Sequence, residues 1–229
     1  MKKLKKTIFT LNVNESYSKD ITNITYPYLK KYAHKIGADF FVITERKFPE
    51  WYITYEKMQI YQLGKEMQND WNIYIDCDAL IHPDIFDITN HMNKDTVAHS
   101  AMDQGDVRWK YDEYFLRDGR FIGSCNWFTI GSDWCLDLWK PIDDLTPDEA
   151  ANNIFPIKAE EENNVTPRSL IDDYVLSRNI AKYGLKFVMF KDFFTQFGME
   201  YGNFLFHHYA MPEEEKVIRL LDKKRKWGL

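Results

Sequence analysis

The chain has 229 residues, enough for one stable core, and its 45% apolar and 28% charged residues are the balance of a globular protein. A net charge of −5 argues against a nucleic-acid binder, which needs a basic face. Three cysteines, Cys77, Cys125 and Cys135, are odd in number and lack metal-ligand spacing, which points away from a disulfide framework and toward a reducing compartment.

Positive charge crowds the two ends. Residues 1–6 hold four lysines, and Lys223, Lys224, Arg225 and Lys226 form a second cluster. Such runs are solvated tails, or contacts for an anionic membrane surface worth about 1 kcal/mol per residue. No run reaches the roughly 20 apolar residues of a membrane span. The apolar stretch from Ile8 to Val13 is too short for a signal peptide, so the expected location is cytoplasmic, peripheral to a membrane at most. Aromatic residues, at 16%, exceed the needs of an ordinary core and suit either dense packing or the binding of sugars and planar rings.

Residues 6–13 read as a first strand, rich in β-branched and aromatic side chains. Residues 20–36 read as a helix, with Ile24, Tyr28, Tyr32 and Ile36 at helical spacing and Gly37 as its stop. A second strand follows at 39–44, a second helix at 54–68 and a third strand at 71–75. This β-α-β-α-β alternation implies a parallel sheet covered by helices, with ligands bound beyond the carboxyl ends of its strands. The second half is less regular. Short strands are expected at 96–101 and 127–130, the latter followed by a turn at 131–133 and a helix through Trp139. Residues 103–120 read as a surface excursion and 141–168 as a long loop. A helix over 170–183 is entered through Thr166 and Pro167 and ended by Gly184. A strand at 186–190 and a helix at 213–226 complete the chain. No linker divides it, so one domain over 1–229 is expected.

The strongest chemical signal is Ile73-Tyr74-Ile75-Asp76-Cys77-Asp78. A strand's period of two points residues 76 and 78 to one side. Two carboxylates so placed suit a hard cation, Mg²⁺ or Mn²⁺, able to bridge two phosphates. An Asp-rich turn after a strand is the plain alternative.

With these features the chain resembles the GT-A glycosyltransferases. The parts occur in that family's order: the strand around Thr7 to Asn12, the helix from Tyr55 to Gln62, and the segment from Tyr74 to Ile81. They continue with the loop and strand from Gly123 to Ile130, the acidic helix start from Leu170 to Leu176, and a late His motif, Phe206-His-His-Tyr-Ala210. The resemblance implies a GT-A-like α/β fold, Rossmann-like in its N-terminal half, with a mostly parallel central sheet. It implies a nucleotide-binding half of about 1–100, an acceptor half of about 101–212 and a terminal helix. Activity would be transfer from a nucleotide-diphosphate sugar, a UDP-sugar by preference, to a glycan or glycoconjugate, with Mn²⁺ or Mg²⁺ as cofactor.

Roles follow from the same resemblance. Asp76 and Asp78 would hold the metal together with His208, whose His-Tyr-Ala resembles the family's late His motif although Ala210 stands where Gly is usual. His207 is the rival, since adjacent residues point opposite ways. Thr10, Leu11, Asn12, Lys57, Asp76, Cys77 and Asp103 would contact the donor. Asp173, then Asp172, is the candidate general base, although Asp172 with Ser169 also fits a helix cap. Trp109 and Trp127 are candidate sugar-stacking rings. Lys57 on a solvated helix face is its plain alternative. Two other functions stay open: a nucleotidyltransferase, disfavoured because no Gly follows the first strand, and a non-catalytic binding module of the same fold.

Overall fold

The computed structural model describes residues 4–100, 126–155, 161–162, 164–208 and 211–229. Strand β1 (Lys6–Leu11) is buried along its whole length, as a central strand must be. Helix α1 (Lys19–Ile36) starts where the Ser18 hydroxyl accepts from Ile21 N–H and stops at Gly37, whose φ of 66° is left-handed. Strand β2 (Asp39–Ile43) follows.

The helix expected over 54–68 is two pieces. A 3-10 turn (Ile53–Met58) leads into helix α2 (Gln59–Met67). Buried Glu56 ties the tight turn to the preceding loop, accepting from Arg46 and from the backbone N–H groups of Lys47 and Phe48. Strand β3 (Trp71–Ile75) has the expected bounds. The chain then forms β4 (Leu80–Ile81), β5 (Thr96–His99) and β6 (Phe128–Ser132). A 3-10 helix (Asp133–Trp139) stands where a turn and helix were expected.

Inside the expected loop of 141–168 lies helix α3 (Pro147–Ala151), capped by Thr146 and Glu149 in a reciprocal box. Helix α4 (Ile171–Tyr183) follows a 3-10 turn (Pro167–Leu170). Strand β7 (Lys186–Met189), helix α5 (Phe190–Thr195), strand β8 (Leu205–Phe206) and helix α6 (Glu213–Trp227) complete the fold.

The main sheet has the order β2-β1-β3-β6-β5-β7, and β6 runs antiparallel to its neighbours. This is the expected mixed α/β architecture. Side-chain alternation builds its two layers. Ile8, Ile73, Ile75 and Ile130 pack with Leu29, Tyr32 and Ile36 of α1 and Phe190 and Phe194 of α5. Phe9, Leu11 and Tyr74 face the other way, onto Met58, Ile60 and the α4 residues Tyr174 and Val175. Each such fully buried side chain contributes about 1.5–3 kcal/mol. A second, two-stranded sheet pairs β4 with β8, Leu80 opposite Phe206 and Ile81 opposite Leu205. Through it the chain's late residues reach the carboxyl end of β3. Among the described residues no helix is long and apolar enough to cross a membrane.

Candidate active site and metal centre

At the carboxyl ends of β1 and β3 lies a cavity of about 640 Å³. Asp76 and Asp78 form its floor. They do not continue the strand as its period of two assumes: the chain turns at once, with Ala79 N–H donating to the Asp76 carbonyl at 3.0 Å. The turn is pinned by Asp76 N–H on the Trp127 carbonyl at 2.7 Å and by the Thr25 hydroxyl on the Cys77 carbonyl. The two carboxylates converge because of this turn.

Asp76, Asp78 and His207 bring three ligand atoms within 4.8 Å of one another, the one such cluster among the described residues. His207 Nε2 lies 3.3 Å from Asp78 Oδ1 and 3.5 Å from Asp76 Oδ2. Its imidazole stacks on the Trp127 indole. His208, the residue favoured by motif, instead sets its ring edge-on to Phe206. The extended run after β8 alternates its side chains, so one His faces the carboxylates and the next turns away.

Charge is arranged closely around the pair. The Tyr74 hydroxyl donates to Asp76 Oδ1, and the Lys216 ammonium of α6 donates to Asp78 Oδ2. Burial pushes the Asp76 carboxyl up, with Lys57 and His207 opposing. Burial acts the same way on Asp78, but His207 and Lys216 outweigh it and hold that carboxyl well below its ordinary range. Burial and both carboxylates push the Cys77 thiol up.

Across the cavity, Asp172 and Asp173 stand in the first turn of α4. Neither caps a helix there: Thr166 and Ser169 cap each other reciprocally and leave both carboxylates to face the cavity. Lys57 Nζ bonds Asp172 Oδ2 at 2.5 Å and lies 3.3 Å from Asp76 Oδ1. It is 3% exposed, so the solvated helix face is not its place. Burial lowers its pKa, and Asp172 and Asp76 more than reverse that. Asp173 Oδ1 accepts from the backbone N–H and side-chain amide of Asn126, both at 3.0 Å.

Of the remaining candidates, Leu11, Cys77 and Trp127 line the cavity. Thr10 is buried in the sheet, and Asn12 spends its side chain accepting from Tyr17 N–H at 3.0 Å. Asp103, Trp109, Ala210 and the excursion of 103–120 lie outside the described residues. Asn126, within the Gly123 to Ile130 stretch marked by resemblance, also lines the cavity, and Tyr17 and Lys216 line it without a sequence signal: Lys216, flanked by Glu213–Glu215, reads as an ordinary exposed helix cation. A second cavity of about 620 Å³, lined by Tyr61, Asp70, Trp134 and Asp137, lies at the opposite end of β3. It gathers no comparable set of ligand atoms among the described residues.

The donor set fits a hard divalent cation: two carboxylate oxygens and one imidazole nitrogen. Asp78 Oδ1 is buried and has no well-aligned hydrogen bond, although His207 Nε2 is near. Buried carboxylate oxygens are normally hydrogen-bonded, and one left without a partner beside a second carboxylate and an imidazole nitrogen suits an ion.

No family model matches the chain, and no curated protein does. Solved structures do. A glycosyltransferase involved in glycosylation of the major capsid of PBCV-1 superposes with a TM-score of 0.54 at 10% identity, covering 94% of this chain and 98% of that one. A Drosophila beta-1,4-galactosyltransferase 7, solved with manganese, UDP-Gal and xylobiose, gives 0.44 at 10% identity over 81% of this chain and 65% of that one. Protein A197 from STIV gives 0.35 at 13% identity over 62% and 70%. Of these three, the first superposes closely enough to bear on architecture: over nearly the whole of both chains it shares the mixed α/β fold described above.

Proposed function

We propose that the chain is a metal-dependent glycosyltransferase that moves a sugar from a nucleotide-diphosphate donor to a hydroxyl of a glycan or glycoconjugate. A UDP-sugar is the favoured donor by family resemblance. The observation that carries the reading is the convergence of Asp76, Asp78 and His207, with Asp78 Oδ1 unsatisfied, on the floor of a cavity walled by Asp172 and Asp173.

Asp76, Asp78 and His207 would hold Mn²⁺ or Mg²⁺, which supplies charge neutralisation for a diphosphate leaving group. The protein's own residues do the rest. Lys57 links the Asp76 and Asp172 walls and fixes their separation. Asp172 is engaged by that ammonium. Asp173, held at the cavity wall by Asn126, is the candidate base. In an inverting transfer it takes the acceptor's hydroxyl proton as that oxygen bonds the anomeric carbon. The bond from that carbon to the diphosphate oxygen breaks, and its electron pair leaves with the diphosphate. The Trp127 ring at the cavity wall offers a sugar-stacking face, although its packing on His207 accounts for it as well.

Thermal stability measured against a panel of nucleoside diphosphates, with and without Mn²⁺, tests the reading. A ligand at a hundredfold excess over Kd adds about 2.7 kcal/mol. The expected result is one nucleotide that stabilises with metal present and fails with Asp78→Ala. Absence of any nucleotide effect would sink the reading. Release of nucleoside diphosphate from a nucleotide sugar then separates a transferase from a binding module of the same fold.

A further inference from the structure

The ammonium of Lys216 occupies an unusual place. It donates to Oδ2 of the carboxylate whose other oxygen faces His207. Lys216 is 7% exposed, and its ammonium sits 5.2 Å from the centre of the Tyr17 ring. It cannot drift off, because α6 is anchored one turn later by Leu220, 1% exposed, in a small cluster with Ile21 and Leu80. Lys216 and Asp78 are 138 residues apart in sequence, so local helix geometry does not explain the pair.

From this placement we infer that Lys216 is a built-in competitor of the divalent cation, which keeps the site a weak chelator of bare metal ions. The inference rests on the metal-site reading of Asp76, Asp78 and His207. A buried lysine cannot follow solvent out of the way, and like charges at close quarters repel strongly where water is scarce. The negative charge of Asp78 is already matched by one ammonium, so a cation at Oδ1 shares an anion that is half spent. Lys216 is therefore a positioning residue that sets metal affinity. The cation gains most when an anionic ligand accompanies it.

Mn²⁺ binding to the full chain, without nucleotide or sugar, tests this by electron paramagnetic resonance of free and bound ion. Lys216→Met and Lys216→Gln are expected to bind Mn²⁺ at least tenfold more tightly than the unaltered chain, and Lys216→Arg within about threefold of it. If either neutral variant loses stability without metal, Mn²⁺ should raise its melting temperature more than it raises that of the unaltered chain. Equal or weaker binding by the neutral variants overturns the inference while leaving the metal site standing. Binding by none of the proteins, or binding that survives Asp78→Asn, removes the metal site itself.

Discussion

The indole of Trp127 and the imidazole of His207 are stacked, their centroids 5.1 Å apart and their planes 18° from parallel. That contact selects which of two adjacent histidines meets the carboxylates. His207→Ala should therefore weaken Mn²⁺ binding at least tenfold, and His208→Ala by less than about twofold. Trp127→Ala should fall between them, since it removes an orienting contact but no ligand atom. Calorimetric titration of the three variants ranks them, and a larger loss for His208→Ala would reverse the assignment.

Lys57 joins Asp172 and Asp76 in a buried ionic cluster. Removing one partner of such a pair costs about 3–5 kcal/mol, because the other charge stays buried. Lys57→Met should lower stability to urea by that order, and Lys57→Met with Asp172→Asn should recover part of the loss. A double variant no more stable than the single one would show that the pair contributes little.

Asp173→Asn keeps an oxygen that can accept from Asn126. Turnover should drop about 10²–10⁴-fold if Asp173 is the base. Nucleotide affinity should stay within a few-fold. Steady-state kinetics beside a binding titration separates the two effects, and an unchanged kcat moves the role elsewhere.

Gly64 is needed for close packing. A Cβ there would stand 2.6 Å from Asn72 Oδ1 and 2.9 Å from Leu136 Cδ1, both buried neighbours. Alanine in a helix would otherwise gain about 1 kcal/mol. Overpacking costs about 1–3 kcal/mol, so Gly64→Ala should lower the melting temperature. A rise would mean that α2 shifts freely.

His99 is fully buried, and burial lowers its pKa to about 4. The unfolded chain then binds the extra proton first, near an ordinary histidine value of about 6.5. Stability tied to His99 is complete above that value and declines as pH falls toward 4, by up to about 3 kcal/mol. Urea midpoints at pH 7.5 and 5.0 should therefore separate more for the unaltered chain than for His99→Gln. Equal separation would show that His99 titrates normally.

Much of this is legible in the sequence. Strand β3 and the Asp76–Asp78 pair announce themselves through an apolar run ending in two carboxylates. Thr166, Pro167 and Gly184 bracket the α4 region. These are local signals. The rest depends on distant partners. Asp76 and Asp78 converge through a turn held by Trp127 and Thr25, which strand periodicity cannot foretell. Helix α5 hides in Phe190–Thr195 because an aromatic-rich run reads as strand until Phe86 and Phe128 bury it. His207 outranks His208 through one stacking contact. Lys216 carries no mark of its role beside three glutamates.

The small β4–β8 sheet has a consequence for biosynthesis. Asp76 and Asp78 leave the ribosome long before Leu205 and Phe206 exist to pair with Ile81 and Leu80. A nascent chain can lay down β1, β3 and their helices early, yet it holds two clustered carboxylates with neither His207 nor Lys216 to meet them. On the metal-site reading the ligand set is thus complete only once synthesis has passed residue 207, and a product released before β8 should bind Mn²⁺ far more weakly than the full chain.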